Sequence, residues 1–217
     1  MKRKGKKLLC ASAVLLVLFV VWTILVQTVD VRSVGESNTP VGFAALNCRF
    51  HQLVGVHLKL YILTDWLGLV PVCVCLIFGV AGLIQLIKRK SLKAVDFDIL
   101  ALGIYYLLVV MGYLIFEACP INYRPILIRG VAEPSYPSST TLLVLSVMPT
   151  LAFQAKCRLK KGRSSITVLS MAFSLFMVIG RAVSGVHWIT DIMGAVILSL
   201  GLCCGYQGIV LRYGRRE

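Results

Sequence analysis

The chain has 217 residues, 58% of them hydrophobic and 15% charged, with a mean hydropathy of +0.86. Those proportions exclude a soluble globule and fit a protein that crosses a membrane several times. A net charge of +14 would point to nucleic acid in a soluble chain, but most of the 23 Lys and Arg stand in four blocks, 2–7, 88–93, 156–163 and 212–216, each beside an apolar run. This is how cytoplasmic loops are charged, so the basicity sets topology and implies no nucleic-acid partner.

In chain order, six apolar stretches are predicted to span the bilayer: 8–29, 66–87, 98–116, 138–156, 165–183 and 187–210. Each is close to the ~20 residues a helix needs to cross the hydrocarbon core. The first follows a basic start and so imitates a signal peptide. It is too long for a signal core and no small-x-small cleavage site follows it, which makes it a retained first transmembrane helix. An even number of spans behind a basic N-terminus puts both termini and all four basic blocks in the cytoplasm. The expected fold is an all-α membrane protein, a six-transmembrane-helix bundle with both termini cytoplasmic, forming a single domain over 1–217. Pro71, Gly79, Gly82 and Pro149 within the spans mark bends or close packing.

Three segments fall on the outer side. The first, 30–65, mixes Phe43, Leu46, Phe50, Leu53 and Tyr61 with Asn47, Arg49, His51, His57 and Lys59. That mixture suits an amphipathic helix lying in the interface, and equally a loop packed over the bundle. The second, 117–137, is rich in Pro, Tyr and Arg; the third is the turn at Ser184 and Gly185. Of the eight cysteines, Cys10, Cys73, Cys75, Cys203 and Cys204 lie in apolar spans as small hydrophobes. Cys73 and Cys75 lack zinc-ligand spacing, so no metal site is read and no cofactor is implied. Cys48 and Cys119 share the outer side, where a disulfide and two free thiols both suit the sequence.

The chemistry concentrates where spans end. Ionisable side chains are costly at membrane depth, so Arg181, His187 and Asp191 at the seam of two apolar spans make a site hypothesis. His187 and Asp191 are four apart, so on a helix they share a face and the carboxylate can bond the imidazole. Arg181 lies across a turn from them. An oriented histidine facing a guanidinium suggests chemistry on an anion such as phosphate. Arg124-Pro125 follows the third span, and Pro137-Ser138-Ser139-Thr140-Thr141 opens the fourth with a helix-start signal. The free amides of such a first turn, with the helix dipole, form an anion site. The plainer readings are a capped helix for the Ser-Thr run, and for His187 an interfacial histidine with Asp191 an ordinary first-turn acid.

Arg124-Pro125, then Pro137-Ser138-Ser139-Thr140, then Arg181, His187 and Asp191 resemble the three signature motifs of the type-2 phosphatidic acid phosphatase and haloperoxidase superfamily. The motif region covers 117–191; its third motif is specific and the first two are partial. The resemblance implies that His187 attacks phosphorus to form a phosphohistidine and that Asp191 orients it. It also implies that Arg124, Arg181, Ser138 and Ser139 hold the phosphoryl oxygens, with no metal. Two positions depart from the family pattern. Glu117 stands where the family has a lysine, and Thr140 where it has the histidine that protonates the leaving group. His51, His57, Glu117 and Glu133 on the outer side are the candidate replacement acids.

A missing general acid typically costs 10²–10⁴-fold. An alkoxide leaving group, whose alcohol has a pKa near ~15.7, needs the proton; a phosphate, with a pKa of about 6, hardly does. The expected function is therefore a membrane-embedded lipid phosphatase acting at the outer face through a phosphohistidine. It should favour diphosphates such as a polyprenyl diphosphate, in a membrane that suits a bacterial plasma membrane. The alternative is a weak or inactive member that binds phosphorylated headgroups or scaffolds membrane partners. A small transporter fits less well, because no span midplane carries charge.

Overall fold

The computed structural model describes residues 2–214. Eight helices carry the architecture: α1 (Lys2–Thr28), α2 (Ala44–Val54), α3 (Leu58–Leu67), α4 (Leu69–Arg89), α5 (Phe97–Ala118), α6 (Ser139–Arg158), α7 (Arg163–Val183) and α8 (Ile189–Tyr213). With α3 and α4 counted as one, six helical segments are long and apolar enough to cross a membrane, as expected from the sequence. Apolarity and burial run in opposite directions. The two most apolar spans, α1 and α3–α4, are the least buried, and the least apolar, α6, is the most buried. In lipid the outer face of a bundle must be apolar, whereas a helix surrounded by protein can carry Ser and Thr. Accordingly α6 packs against α4, α5, α7 and α8, burying Thr140, Thr141, Ser146, Thr150 and Gln154.

The longest packing seam joins α1 to α8. It closes tightly because α8 presents glycine there. A methyl group at Gly208 would lie 2.9 Å from Leu9 Cγ and 3.1 Å from the Leu9 backbone nitrogen. Helix α1 starts at Lys2, not at residue 8, because its basic first turn is part of this seam, with Gly5 against Gly208 and Arg212. At the same end of the bundle, Asp96 accepts hydrogen bonds from Gln85 Nε2 at 2.9 Å, Arg89 Nη1 at 2.7 Å and Arg158 Nη1 at 3.0 Å. Arg158 Nη2 in turn reaches both oxygens of Asp98 at 2.7 Å. The Arg89 contact, with Arg158 and Gln85 behind it, holds the Asp96 carboxyl below the usual carboxylate range. The chain alternates direction through the spans, so the basic stretches up to Arg212 gather at this end, and the ends carrying Arg124, Ser139 and His187 gather at the other. Residues 215–216 of the last basic block lie outside the described residues.

The segment 30–65 is neither a single interfacial helix nor a simple loop. A two-stranded antiparallel hairpin, β1 (Arg32–Val34) with β2 (Thr39–Val41), comes first, then α2, then α3. The last of these corrects the expected second span, which begins at Leu58 and not at residue 66. The break after Leu67 follows from Pro71. Proline has no N–H to give the carbonyl four residues earlier, and its ring crowds that carbonyl. The span then resumes as α4 and totals 32 residues, about 48 Å of helix at 1.5 Å per residue. That exceeds a ~30 Å hydrocarbon core, so α3 extends to the end of the bundle where α7 finishes and packs on it. Cys48 and Cys119 are free thiols.

Gly208→Leu is expected to overpack the α1–α8 seam by about 1–3 kcal/mol. The melting temperature in detergent should fall by roughly 2–10 °C; an unchanged value would show that the seam can open without cost.

Candidate active site

Five segments converge at the end of the bundle away from the basic blocks. Arg181, on the last turn of α7, is 1% exposed. After it the chain reverses at Ser184 and Gly185, whose φ of +70° lies in the left-handed region that favours glycine. A side chain at Gly185 would also strike the Gly55 carbonyl, and His57 N–H donates to the Ser184 carbonyl at 2.9 Å. The α2–α3 connection thus fixes the turn that delivers His187. Asn47, buried on α2, donates to Thr190 Oγ1 at 3.0 Å and anchors the first turn of α8 just beyond.

His187 is not on a helix. Helix α8 begins at Ile189, so the expected shared helical face is replaced by a helix-start arrangement. Asp191, fully buried in the first turn, accepts the Trp188 backbone N–H at 3.1 Å and Asn122 Nδ2 at 2.9 Å. It faces His187 Nδ1 at 3.9 Å, beyond a direct hydrogen bond, and Nδ1 has no partner in the protein. The other ring nitrogen, Nε2, points to Arg181 Nη2 at 3.4 Å. Burial first, then the Arg181 and Arg124 guanidiniums, push the His187 imidazole well below its ordinary value, so the ring is neutral near pH 7.

Arg124 arrives on the α5–α6 connection, which folds back on itself. Arg124 N–H donates to the Glu133 carbonyl at 3.0 Å and Ser135 N–H to the Asn122 carbonyl at 2.9 Å. The β1–β2 hairpin clamps this connection from outside. Glu36 donates its N–H to the Pro125 carbonyl at 3.0 Å and accepts Leu127 N–H on its carboxylate at 2.8 Å. From the other side, Trp188 Nε1 donates to the Tyr123 carbonyl at 2.8 Å. The guanidinium pairs with Glu133 at 3.1 Å through Nη2, while its Nε and Nη1 are buried without a protein partner. Arg181 Nε is in the same state.

The two guanidiniums share one aromatic ring. Arg181 Cζ lies 4.8 Å and Arg124 Cζ 5.4 Å from the centroid of Tyr61, on α3. The same helix supplies Thr64 Oγ1 at 3.4 Å and Asp65 Oδ1 at 3.7 Å from Arg181 Nη1. Tyr61, Thr64 and Asp65 were missed in the sequence, as were Asn47 and Asn122. A cue was available: positions 61, 64 and 65 stand at the i, i+3, i+4 spacing that marks one helix face.

Ser138 has both its donors engaged inside the protein, its N–H with the Asp191 carbonyl at 3.2 Å and its hydroxyl with Thr141 Oγ1 at 3.0 Å. In this arrangement neither Ser138 donor is left over for the anion the sequence expects it to hold. The hydroxyl makes no capping bond to the first turn of α6, so that turn is not side-chain capped either. Ser139 and Thr140 open the helix, where amides have no intrahelical acceptor. The Thr140 methyl packs at the α3–α4 elbow, 3.6 Å from where a Gly68 Cβ would be. Ser139, Glu117, Ser135, Tyr136 and His187 line a small cleft beside it. Glu133 is paired with Arg124, and the Nε2 atoms of His51 and His57 contact the carbonyls of Gly185 and Val54 at 3.1 and 2.8 Å.

The sequence model of the PAP2 superfamily matches residues 99–214, more than half of the chain, and the protein belongs to that superfamily. No curated protein sequence matches it. Its fold is similar to the crystal structure of the first transmembrane PAP2 type phosphatidylglycerolphosphate phosphatase from Bacillus subtilis. The TM-score is 0.67 at 16% identity, over 95% of this chain and 98% of that one. The protein is thus an integral membrane protein of the PAP2 fold.

The depressed imidazole predicts a pH effect on stability. The unfolded chain takes up a proton near the ordinary value of 6.5, and the folded ring does so only well below it. Stability conferred by the neutral ring is therefore complete above pH ~6.5 and falls as pH drops below it, by up to about 1.4 kcal/mol per pH unit. The melting temperature between pH 7 and 5 should fall less steeply in His187→Gln than in wild type; parallel curves would contradict the assignment.

Proposed function

We propose that this protein is a lipid phosphate phosphatase whose site residues are Arg124, Arg181, His187, Asp191 and the Ser139–Thr140 amides. The observation that carries the reading is a pair of buried guanidiniums whose Arg124 Nε and Nη1 and Arg181 Nε lack a protein acceptor, with Arg181 Nη2 at 3.4 Å from Nε2 of a neutral imidazole. Buried donors without acceptors are costly, and phosphoryl oxygens satisfy guanidiniums in the bidentate geometry they favour. A neutral ring with Nδ1 turned to Asp191 presents Nε2 as a nucleophile, and Asp191 stabilises the charge that develops as the bond to phosphorus forms. The guanidiniums and the first-turn amides of α6 then take the charge on the equatorial oxygens.

The chain acts as a single domain over 1–217. Both termini lie in the cytoplasm and the site works at the outer face, because the basic loops gather at the opposite end of the bundle. Thr140 cannot donate a proton near neutral pH, so the enzyme favours lipid diphosphates, a polyprenyl diphosphate among them, whose leaving group is itself a phosphate.

Phosphate release in detergent from a polyprenyl diphosphate and a phosphatidic acid tests this. The diphosphate should turn over faster, and quicker cleavage of the monoester would refute the preference. His187→Ala should lose on the order of 10⁴-fold or more, and Arg124→Ala about 10²–10³-fold. Headgroup binding without turnover in wild type would instead favour a non-catalytic receptor.

A further inference from the structure

Hydrolysis of a phosphohistidine needs a base to take a proton from the attacking water, and the residue that follows Ser139 offers only a hydroxyl. We propose that Asp65, on α3, is that base; the proposal rests on the phosphohistidine reading above.

The geometry runs along Arg181. Its Nη2 lies 3.4 Å from His187 Nε2 and its Nη1 lies 3.7 Å from Asp65 Oδ1. Asp65 therefore stands on the Nε2 side of the ring, across one guanidinium, where a phosphoryl group on Nε2 would meet water. At 3.7 Å it is beyond hydrogen-bond distance from Arg181, so its oxygens are free to accept. Arg181 is 1% exposed and Asp65 58%, which places the carboxylate at the mouth and the guanidinium inside.

The other titratable groups around the ring are engaged or face elsewhere. Asp191 is fully buried on the Nδ1 side, bonded to Asn122 and the Trp188 amide. Glu133 is paired with Arg124 at 3.1 Å. Glu117 lines a cleft with His187, Ser135 and Tyr136 in which Arg181 takes no part. His51 and His57 contact backbone carbonyls through Nε2.

In the first half-reaction, Nε2 of the neutral ring bonds to the terminal phosphorus. The bridging P–O bond breaks, and the lipid monophosphate leaves with its electron pair and needs no proton. In the second, a water oxygen bonds to phosphorus as the P–Nε2 bond breaks and its electron pair returns to the ring. One water proton passes to Asp65. The products are hydrogen phosphate, neutral His187 and a protonated Asp65, which loses its proton to bulk water through its exposed edge.

Rapid-quench assays on a polyprenyl diphosphate, following lipid monophosphate and inorganic phosphate separately, test the assignment with Asp65→Asn and Asp65→Glu. Asp65→Asn should release a burst of lipid monophosphate near one equivalent per enzyme, then form phosphate about 10²–10⁴-fold more slowly than wild type. Asp65→Glu, which restores a carboxylate, should recover most of the steady-state rate. Unchanged phosphate release in Asp65→Asn would overturn the proposal. So would equal slowing of both products without a burst, since that is what loss of Arg181 positioning alone would give. Wild-type turnover by His187→Ala would remove the phosphohistidine reading itself, and the proposal with it. Gel filtration of both variants in detergent checks that the exposed position leaves the fold intact.

Discussion

Two guanidiniums of like charge are held against one tyrosine ring, and much of that end of the bundle serves the arrangement. With Arg181 at 4.8 Å and Arg124 at 5.4 Å from the Tyr61 centroid, the two charges are no more than about 10 Å apart. At an effective dielectric of 20 they repel by at least about 1.6 kcal/mol. Cation–π contact returns roughly 0.5–2 kcal/mol for each, and Glu133 and Asp65 supply the nearby negative charge. The protein has to hold this pair mechanically as well. The hairpin clamps the Arg124 connection, the Gly185 turn locks onto the α2–α3 connection, and α3 packs on α7. Under the proposed phosphatase reading, a dianionic phosphoryl group between the two arginines would turn that repulsion into attraction.

Most of the membrane architecture was legible because it is written in composition. Six runs of apolar residues at bilayer length and four basic blocks at their ends are coarse signals, and the six spans stand within a few residues of expectation except at the starts of the first and second. The spacing of Arg181, His187 and Asp191 was equally open to reading, since the ionic side chains stand out in an apolar chain. What the sequence concealed was tertiary. Asp191 is oriented by Asn122, from a connection 69 residues earlier, and no local pattern announces that bond. Residues 58–65 look like an interfacial segment because Lys59, Thr64 and Asp65 dilute their apolarity. Only the elbow at Gly68, forced by Pro71, shows that they continue a span and lean over the site.

Ser138 and His187 teach a narrower lesson. Ser138 in a helix-start motif invites assignment as a cap or an anion donor, yet its amide and hydroxyl are engaged with the Asp191 carbonyl and Thr141. The amide bond ties the start of α6 to the start of α8, and the hydroxyl bond stays within the first turn of α6. His187 and Asp191, four apart, suggested one helix face, yet the helix begins between them. The aspartate at the helix start accepts the Trp188 amide and stands 3.9 Å from the ring, so one carboxylate caps the turn and faces the imidazole. In each case residue type and spacing marked the place, and the partners were legible only in three dimensions.

The most direct test of the account is chemical. Wild-type protein should be mixed with a lipid diphosphate labelled in its terminal phosphate and quenched in alkali, where phosphohistidine survives, and its peptides then sequenced by mass spectrometry. The account predicts a phosphoryl group on His187 and on no other residue, absent from His187→Ala. Steady turnover with no phosphoryl group on His187 at any quench time, or the label on a different side chain, would contradict it.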